Sequence, residues 1–309
     1  MFYPARYMDP TTDFGFKKLF ASEESKPILK SFLFGLLELE SPISEISFLP
    51  FEQLPGRTDE RKSIYDLYCI DERGQRFIVE MQKMNEVFLT DRLVYYSSFP
   101  IAQQAQKGKW DFELNPIYCV GILDFDFFAD SRFIHHSQIS DVLTGEVVYD
   151  KLTFVIVELN KFNLPLSASL SLRDKWIYFL KHLTDLRAIP EELSDESFKA
   201  AFEIAELAAM SEAEQYYHEG SLNHLRKAYA AREFARREGE EEGREEGKKE
   251  GKKEGRKEGK EEGREEGRQK ATIEIAKNLL QQQVPRQAIL QATGLTSEEL
   301  EELMQSSPD

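Results

Sequence analysis

Three polar side chains stand in stretches that otherwise read as apolar strand: Asp66, Glu80 and Gln82. The runs Ile64–Ile70 and Phe77–Met81 are rich in aliphatic and aromatic residues, and they flank Asp71, Glu72, Arg73 and Gly74. Gly supplies the positive φ that tight turns need, so the segment predicts a β-hairpin. A hairpin centred on Arg73 sets Asp66 opposite Glu80 and Ile64 opposite Gln82. Residues two apart on a strand share a face, so Glu80 and Gln82 point the same way. Opposed residues have Cβ atoms about 5 Å apart. Two carboxylates at that range repel unless a cation lies between them or one takes up a proton. Oxygen-rich sites of this kind suit a hard divalent ion such as Mg²⁺.

A hairpin face carrying ordinary solvated charges accounts for the same three residues. Ile64, Tyr68 and Ile78 fall on that face too and give the carboxylates partly apolar surroundings. From the pattern alone the two readings stand level.

The order Asp, hairpin, Glu-x-Gln resembles the PD-(D/E)xK nuclease core in its variant with Gln for the last Lys. The wider chain is similar to the recombination-promoting nuclease, transposase-like branch of that superfamily. The likeness is carried by Asp9–Phe20 (DPTTDFGFKKLF), Asp66, Val79–Gln82 (VEMQ), Asp91–Tyr96 (DRLVYY) and Val157–Phe162 (VELNKF). It covers about the first two-thirds of the chain, and the order and spacing of these segments are more specific than any one of them. Tyr65 stands where the motif has Pro, which contributes no ligand. The resemblance implies a mixed central sheet flanked by helices, with Asp66 and Glu80 holding Mg²⁺, for which Mn²⁺ substitutes. Gln82 would be the third catalytic residue and Asp13 an accessory acid from the first helix. For Asp13 a helix cap is an equal reading, and for Lys17 a solvated charge is the preferred one.

Composition limits the function. The chain of 309 residues is 41% hydrophobic, enough for a real core, and carries a net charge of −16 with pI near 5.0. That charge argues against a protein that coats nucleic acid non-specifically. Cys69 and Cys119 lie in apolar runs and read as buried free thiols of a reducing, cytoplasmic compartment. No zinc spacing, no signal-peptide h-region and no run near 20 apolar residues is present, so no membrane partner is expected.

The elements that must position the three residues follow in order. Thr12 or Asp13 caps a short helix, and Pro27 opens a second one. Ile43–Phe51 alternates like a strand, Leu54–Arg61 is a polar loop, and Glu86–Gln106 is a helix with Pro100 as kink or break and Gly108 as stop. Arg92, Gln103 and Gln104 could face the site or the substrate, but as single polar helix residues ordinary surface is the preferred reading. Asn115–Phe128 is a buried strand whose Asp124 and Asp126 could serve as metal ligands, with a strand-end turn the preferred reading. Val147–Tyr149 and Leu152–Leu159 are further strand segments, with polar His135 and His136 before them. Glu158 is as readily structural as catalytic. Trp176, Ile177, Phe179, Leu180 and Leu183 form one helical stripe, and Phe198, Phe202, Ala205, Leu207 and Met210 another.

Residues 238–268 repeat Gly every fourth position among Glu, Lys and Arg. Each Gly costs a helix about 1 kcal/mol against Ala, and no apolar seam runs through the tract, so a solvated spacer or at best a fragile helix is expected. Residues 269–309 regain apolar spacing and look like a helix-turn-helix, read first as an association module that makes a homo-oligomer and second as a DNA contact. The expected organisation is therefore a nuclease-like domain (1–210), a connecting helix (211–237), the spacer (238–268) and the helical tail (269–309). The function that follows is metal-dependent DNA endonuclease. Its rivals are a weak or inactive nuclease-fold assembly protein derived from a mobile element, and a scaffold that spaces two modules.

Overall fold

The computed structural model describes residues 5–49, 52–53, 63–85, 87–105 and 111–305. The expected polar loop Leu54–Arg61 and the helix stop at Gly108 lie outside them. The chain divides into two units, Met1–Arg226 and Lys227–Asp309.

The first unit begins with a segment pinned against the end of a later helix: the Met8 amide donates to the Ala205 carbonyl at 2.9 Å and the Leu207 amide to the Arg6 carbonyl at 3.0 Å. This fixes the Asp9–Thr12 turn, in which Asp9 Oδ1 accepts from the Thr11 amide at 2.9 Å. Helix α1 (Asp13–Phe20) starts where Thr12, not Asp13, caps it by accepting from the Gly15 amide at 3.0 Å. Helix α2 (Lys26–Leu36) opens with Pro27 in its first turn, as the sequence predicts.

Strand β1 (Ile46–Phe48) is shorter than the expected Ile43–Phe51 run, and β2 (Glu52–Gln53) pairs with β3 (Ser63–Ile64) in a separate ribbon. The hairpin is β4 (Leu67–Asp71) and β5 (Arg76–Gln82). Asp71 Oδ1 closes its turn by accepting from the amides of Arg73 and Gln75, and Gly74 supplies φ +81°. Next come α3 (Leu89–Ala102), which carries Pro100 inside its last turn, and β6 (Ile117–Leu123). Strand β7 (Ile134–Ser140) runs through the His135–His136 stretch read as merely polar. It is an edge strand with one largely solvated face, so only His135 is buried and no apolar alternation marks it. The two segments expected over 147–159 are one strand, β8 (Val147–Glu158). Helices α4 (Leu172–His182) and α5 (Glu196–Ala205) follow, carrying the two predicted stripes.

The six-stranded sheet has the order β1-β4-β5-β6-β8-β7. Its β5, β6 and β8 are parallel and the rest antiparallel, the mixed α/β architecture expected. Leu67, Phe77, Val79, Val120 and Val157 face a core in which α1, α2, α4 and α5 supply Phe16, Phe32, Trp176 and Phe202. The opposite face carries Tyr68, Ile78 and Cys119 and is covered in part by Leu89 and Leu93 of α3. Both cysteines are free and buried.

Helix α6 (Glu212–Gln281) runs through the whole Gly repeat, so of the two forms expected there the tract takes the helical one, exposed along its length. Ion pairs offset part of the glycine cost, among them Lys249 with Glu245 at 3.7 Å and Lys270 with Glu266 at 3.6 Å, both at i,i+4. The second unit closes on a small core of Ala276, Ile289 and Leu300, built from the end of α6, α7 (Arg286–Thr293) and α8 (Ser297–Gln305). Gly294 at φ +73° ends α7. Thr296 and Glu299 form a capping box at the start of α8, each accepting from the other's amide.

Candidate functional site

The hairpin register is the one the turn implies: Leu67 pairs with Val79 and Tyr68 with Ile78, so Asp66 falls level with Glu80. Asp66 itself lies one residue outside the ladder. The expected partnership of Ile64 with Gln82 does not form, because Ile64 pairs with Glu52 in the small ribbon. The backbone therefore leaves the sheet between Ile64 and Leu67. That break frees the Asp66 amide to donate to Glu80 Oε1 at 3.3 Å, while Asp66 Oδ2 accepts from the Met81 amide at 2.8 Å.

Glu80 is 2% exposed. In the parallel register it sits beside Gly121, which has no side chain, and Gly121 sits beside Ile156. Burial first, then the charge of Asp66, push the Glu80 carboxyl up to about 8, against a lowering contribution from Arg92. Asp66 is likewise raised, by burial, although the Met81 amide and Lys17 oppose it. Gln82 Nε2 donates to Glu80 Oε2 at 3.4 Å. Asp66, Glu80 and Gln82 are thus brought together.

Two cations that the sequence reading set aside as surface reach the same carboxylates. Arg92 Nη2 of α3 lies 3.5 Å from Glu80 Oε2, and Lys17 Nζ of α1 lies 3.9 Å from Asp66 Oδ1. Lys17 also pairs with Asp13 at 2.5 Å, so Asp13 joins the site through Lys17. The sequence hint for Arg92 was its place in the DRLVYY segment of the family resemblance, since taken alone a single arginine on a helix is no more specific than many exposed ones. Gln103 accepts from the Tyr68 hydroxyl at 2.8 Å, and Gln104 accepts from the Asn115 amide at 2.7 Å, so both are structural.

Lys83, next after Gln82, turns to the other side. Its Nζ donates to Asp9 Oδ2 at 2.5 Å and to Thr11 Oγ1 at 2.8 Å, and Asp124 Oδ2 lies 3.9 Å away. Asp9 is lowered: burial would raise it, but Lys83 and Thr11 together outweigh that.

Glu158 lies level with Leu123, which in turn is level with Gln82. It is two strands from the hairpin and its carboxylate is occupied. Oε1 accepts from the amides of Phe127 at 2.6 Å and Phe128 at 3.1 Å, and pairs with Lys161 Nζ at 2.8 Å. Oε2 faces His135 Nε2 at 3.3 Å, close enough for an ion pair with a protonated ring but not aligned for a hydrogen bond. Glu158 therefore anchors the loop after β6.

The donor set suits a hard cation: two carboxylates and an amide, with one carboxylate buried and pushed toward protonation by the other. A divalent ion would relieve that repulsion. No cluster of three or more His, Cys, Asp or Glu residues able to hold a metal occurs among the described residues.

A mixed sheet whose hairpin presents Asp66 and Glu-x-Gln defines the PD-(D/E)XK nuclease-like class. The model described as "PD-(D/E)XK nuclease family transposase" matches residues 10–233, and the chain belongs to that family. A second model, "Rpn/YhgA-like nuclease family, C-terminal HTH domain", matches residues 269–305, the three-helix tail. No curated protein and no solved structure matches the chain. No helix among the described residues is long and apolar enough to cross a membrane.

Proposed function

We propose that the protein is a metal-dependent DNA endonuclease in which Asp66 and Glu80 hold Mg²⁺, or Mn²⁺ in its place. The observation that carries this is the buried Glu80 carboxyl, raised to about 8 beside Asp66: the fold tolerates an arrangement that is unfavourable without a cation. Bound there, the ion would lower the pKa of a water and neutralise charge building on the phosphate. Gln82 orients that water by hydrogen bonding but adds no charge, as a Lys would. Lys17 and Arg92 bring positive charge to the two carboxylates, and both stand where a phosphate approaching them would be met. Asp13 keeps Lys17 in place. The helix-turn-helix tail supplies a second DNA contact. Arg286, its one evident base on α7, is paired with Glu301, so phosphate contact there competes with an internal ion pair.

The test is cleavage of plasmid DNA with Mg²⁺ or Mn²⁺ by the wild type, Asp66→Ala and Glu80→Gln. Equal rates for all three would end the assignment. One observation favours a second reading, a nuclease fold kept for binding: Arg92 and Lys17 partly neutralise the carboxylates unaided. Calorimetric titration with Mn²⁺ separates the two, since the enzyme gives a heat that disappears in Asp66→Ala and the binding protein gives none.

A further inference from the structure

Beside the carboxylate pair, and wholly within the first unit, lies a groove between α1 and the start of α6. A cleft of about 540 Å³ is lined by Asp13, Tyr216, Tyr217, Ser221 and His224. A neighbouring hollow of about 340 Å³ shares Asp13, Tyr217 and Ser221 with it and adds Lys17, Lys18 and Phe14. Tyr216 and Tyr217 are 76% and 63% exposed, with ring centroids 6.0 Å apart. The groove is continuous with the site, because Lys17 belongs to its lining and also lies 3.9 Å from Asp66.

We infer that this groove is a stacking platform for unpaired bases of the DNA strand whose phosphate lies at Asp66 and Glu80. The inference rests on the nuclease reading for the position of that phosphate, and names the substrate class as single-stranded or frayed DNA. Three features support it. The volumes fall in the range of small-ligand sites, about 300–1,000 Å³. Two tyrosine rings stand in water on one helix next to a candidate phosphate site, and aromatic faces bind bases of any sequence, at about 1–3 kcal/mol each. The lining charges cancel: Lys17 is paired with Asp13 and Lys18 with Glu214, in a chain of net charge −16. Such a surface cannot hold a strand chiefly by counterion release, so ring contact must carry the affinity and the salt dependence is shallow. A duplex keeps its bases stacked on one another and offers no faces to these rings.

The experiment uses the full chain in EDTA, so that binding is read without cleavage. Fluorescence anisotropy is measured with a labelled oligodeoxynucleotide, single-stranded and as a duplex. The wild type binds the single strand with a shallow salt slope. The double variant Tyr216→Ala/Tyr217→Ala weakens it by about 30-fold or more while duplex affinity, available to the tail, is unchanged, and Tyr216→Phe/Tyr217→Phe restores single-strand binding. Unchanged single-strand affinity in the alanine pair, an equal loss for both DNA forms, or failure of the phenylalanine pair to restore binding overturns the inference. So does a changed molecular mass in light scattering with binding intact, which would make the groove a contact between copies. A protein that binds strands this way yet cuts nothing with Mg²⁺ or Mn²⁺ would overturn the nuclease reading and leave the platform standing.

Discussion

Replacing Glu158 separates a structural acid from a catalytic one. The side chain is 0% exposed, and one of its oxygens serves two backbone amides and Lys161 at once. Glu158→Ala leaves the Phe127 and Phe128 amides without that acceptor and removes the counter-charge from Lys161, which keeps only its 2.5 Å bond to the Phe128 carbonyl. Removing one partner of a buried ion pair costs about 3–5 kcal/mol, so a loss of about 4 kcal/mol is expected. Glu158→Gln keeps an oxygen for the two amides but still removes the counter-charge of Lys161, so it is destabilised as well, by less than the alanine variant. For a unit of this size about 4 kcal/mol corresponds to a Tm lower by about 10 °C. Urea denaturation followed by tryptophan fluorescence reports it, since Trp176 is fully buried in the main core. Mn²⁺ titration of Glu158→Gln gives the wild-type heat. An alanine variant within about 1 kcal/mol of wild type would refute the anchor argument. A glutamine variant that loses Mn²⁺ as completely as Glu80→Gln would show instead that Glu158 is a ligand.

Glu80→Gln in EDTA at pH 7 is expected to be at least as stable as the wild type, because it mimics the protonated form that burial and Asp66 favour; a clear fall in its urea midpoint would contradict that. Asp9 is held below its ordinary 3.8 despite its burial, so its contribution is complete above 3.8 and is lost as pH falls through the lower folded value. Stability curves of wild type and Asp9→Asn should accordingly lie apart at pH 6 and converge below pH 4, and parallel curves would count against it. Gly15→Ala destabilises although it sits in a helix, since its Cβ would fall 2.0 Å from the Asp9 carbonyl oxygen, whereas Gly243→Ala meets nothing within 4 Å and gains about 1 kcal/mol of helix propensity. Thermal melts of the two variants should move in opposite directions.

The hairpin was legible because its turn chemistry and its apolar runs agreed on one register. Asp66 level with Glu80 followed from counting outward from Arg73. The strand break behind Asp66 was not legible, since Ile64 fits a continued β4 as well as the ribbon it joins with Glu52. Arg92 and Lys17 were read as surface because a cation on a helix shows its partner only when the sheet beneath it is placed. Strand β7 escaped because an edge strand with a solvated face keeps few apolar residues to alternate. In the Gly repeat the cost of each glycine was legible, whereas offsetting pairs such as Glu245–Lys249 were not counted; they follow from the doubled Glu-Glu and Lys-Lys letters inside the beat.

That repeat has a bearing on how such chains diverge. The glycines from Gly239 to Gly267 have no atom of another element near them, and every residue of the tract is exposed. A block of four residues can therefore be duplicated or deleted without removing a packing partner from anything else. Selection on folding is blind to the copy number, and close lineages should differ there in whole blocks while the hairpin carboxylates hold their spacing.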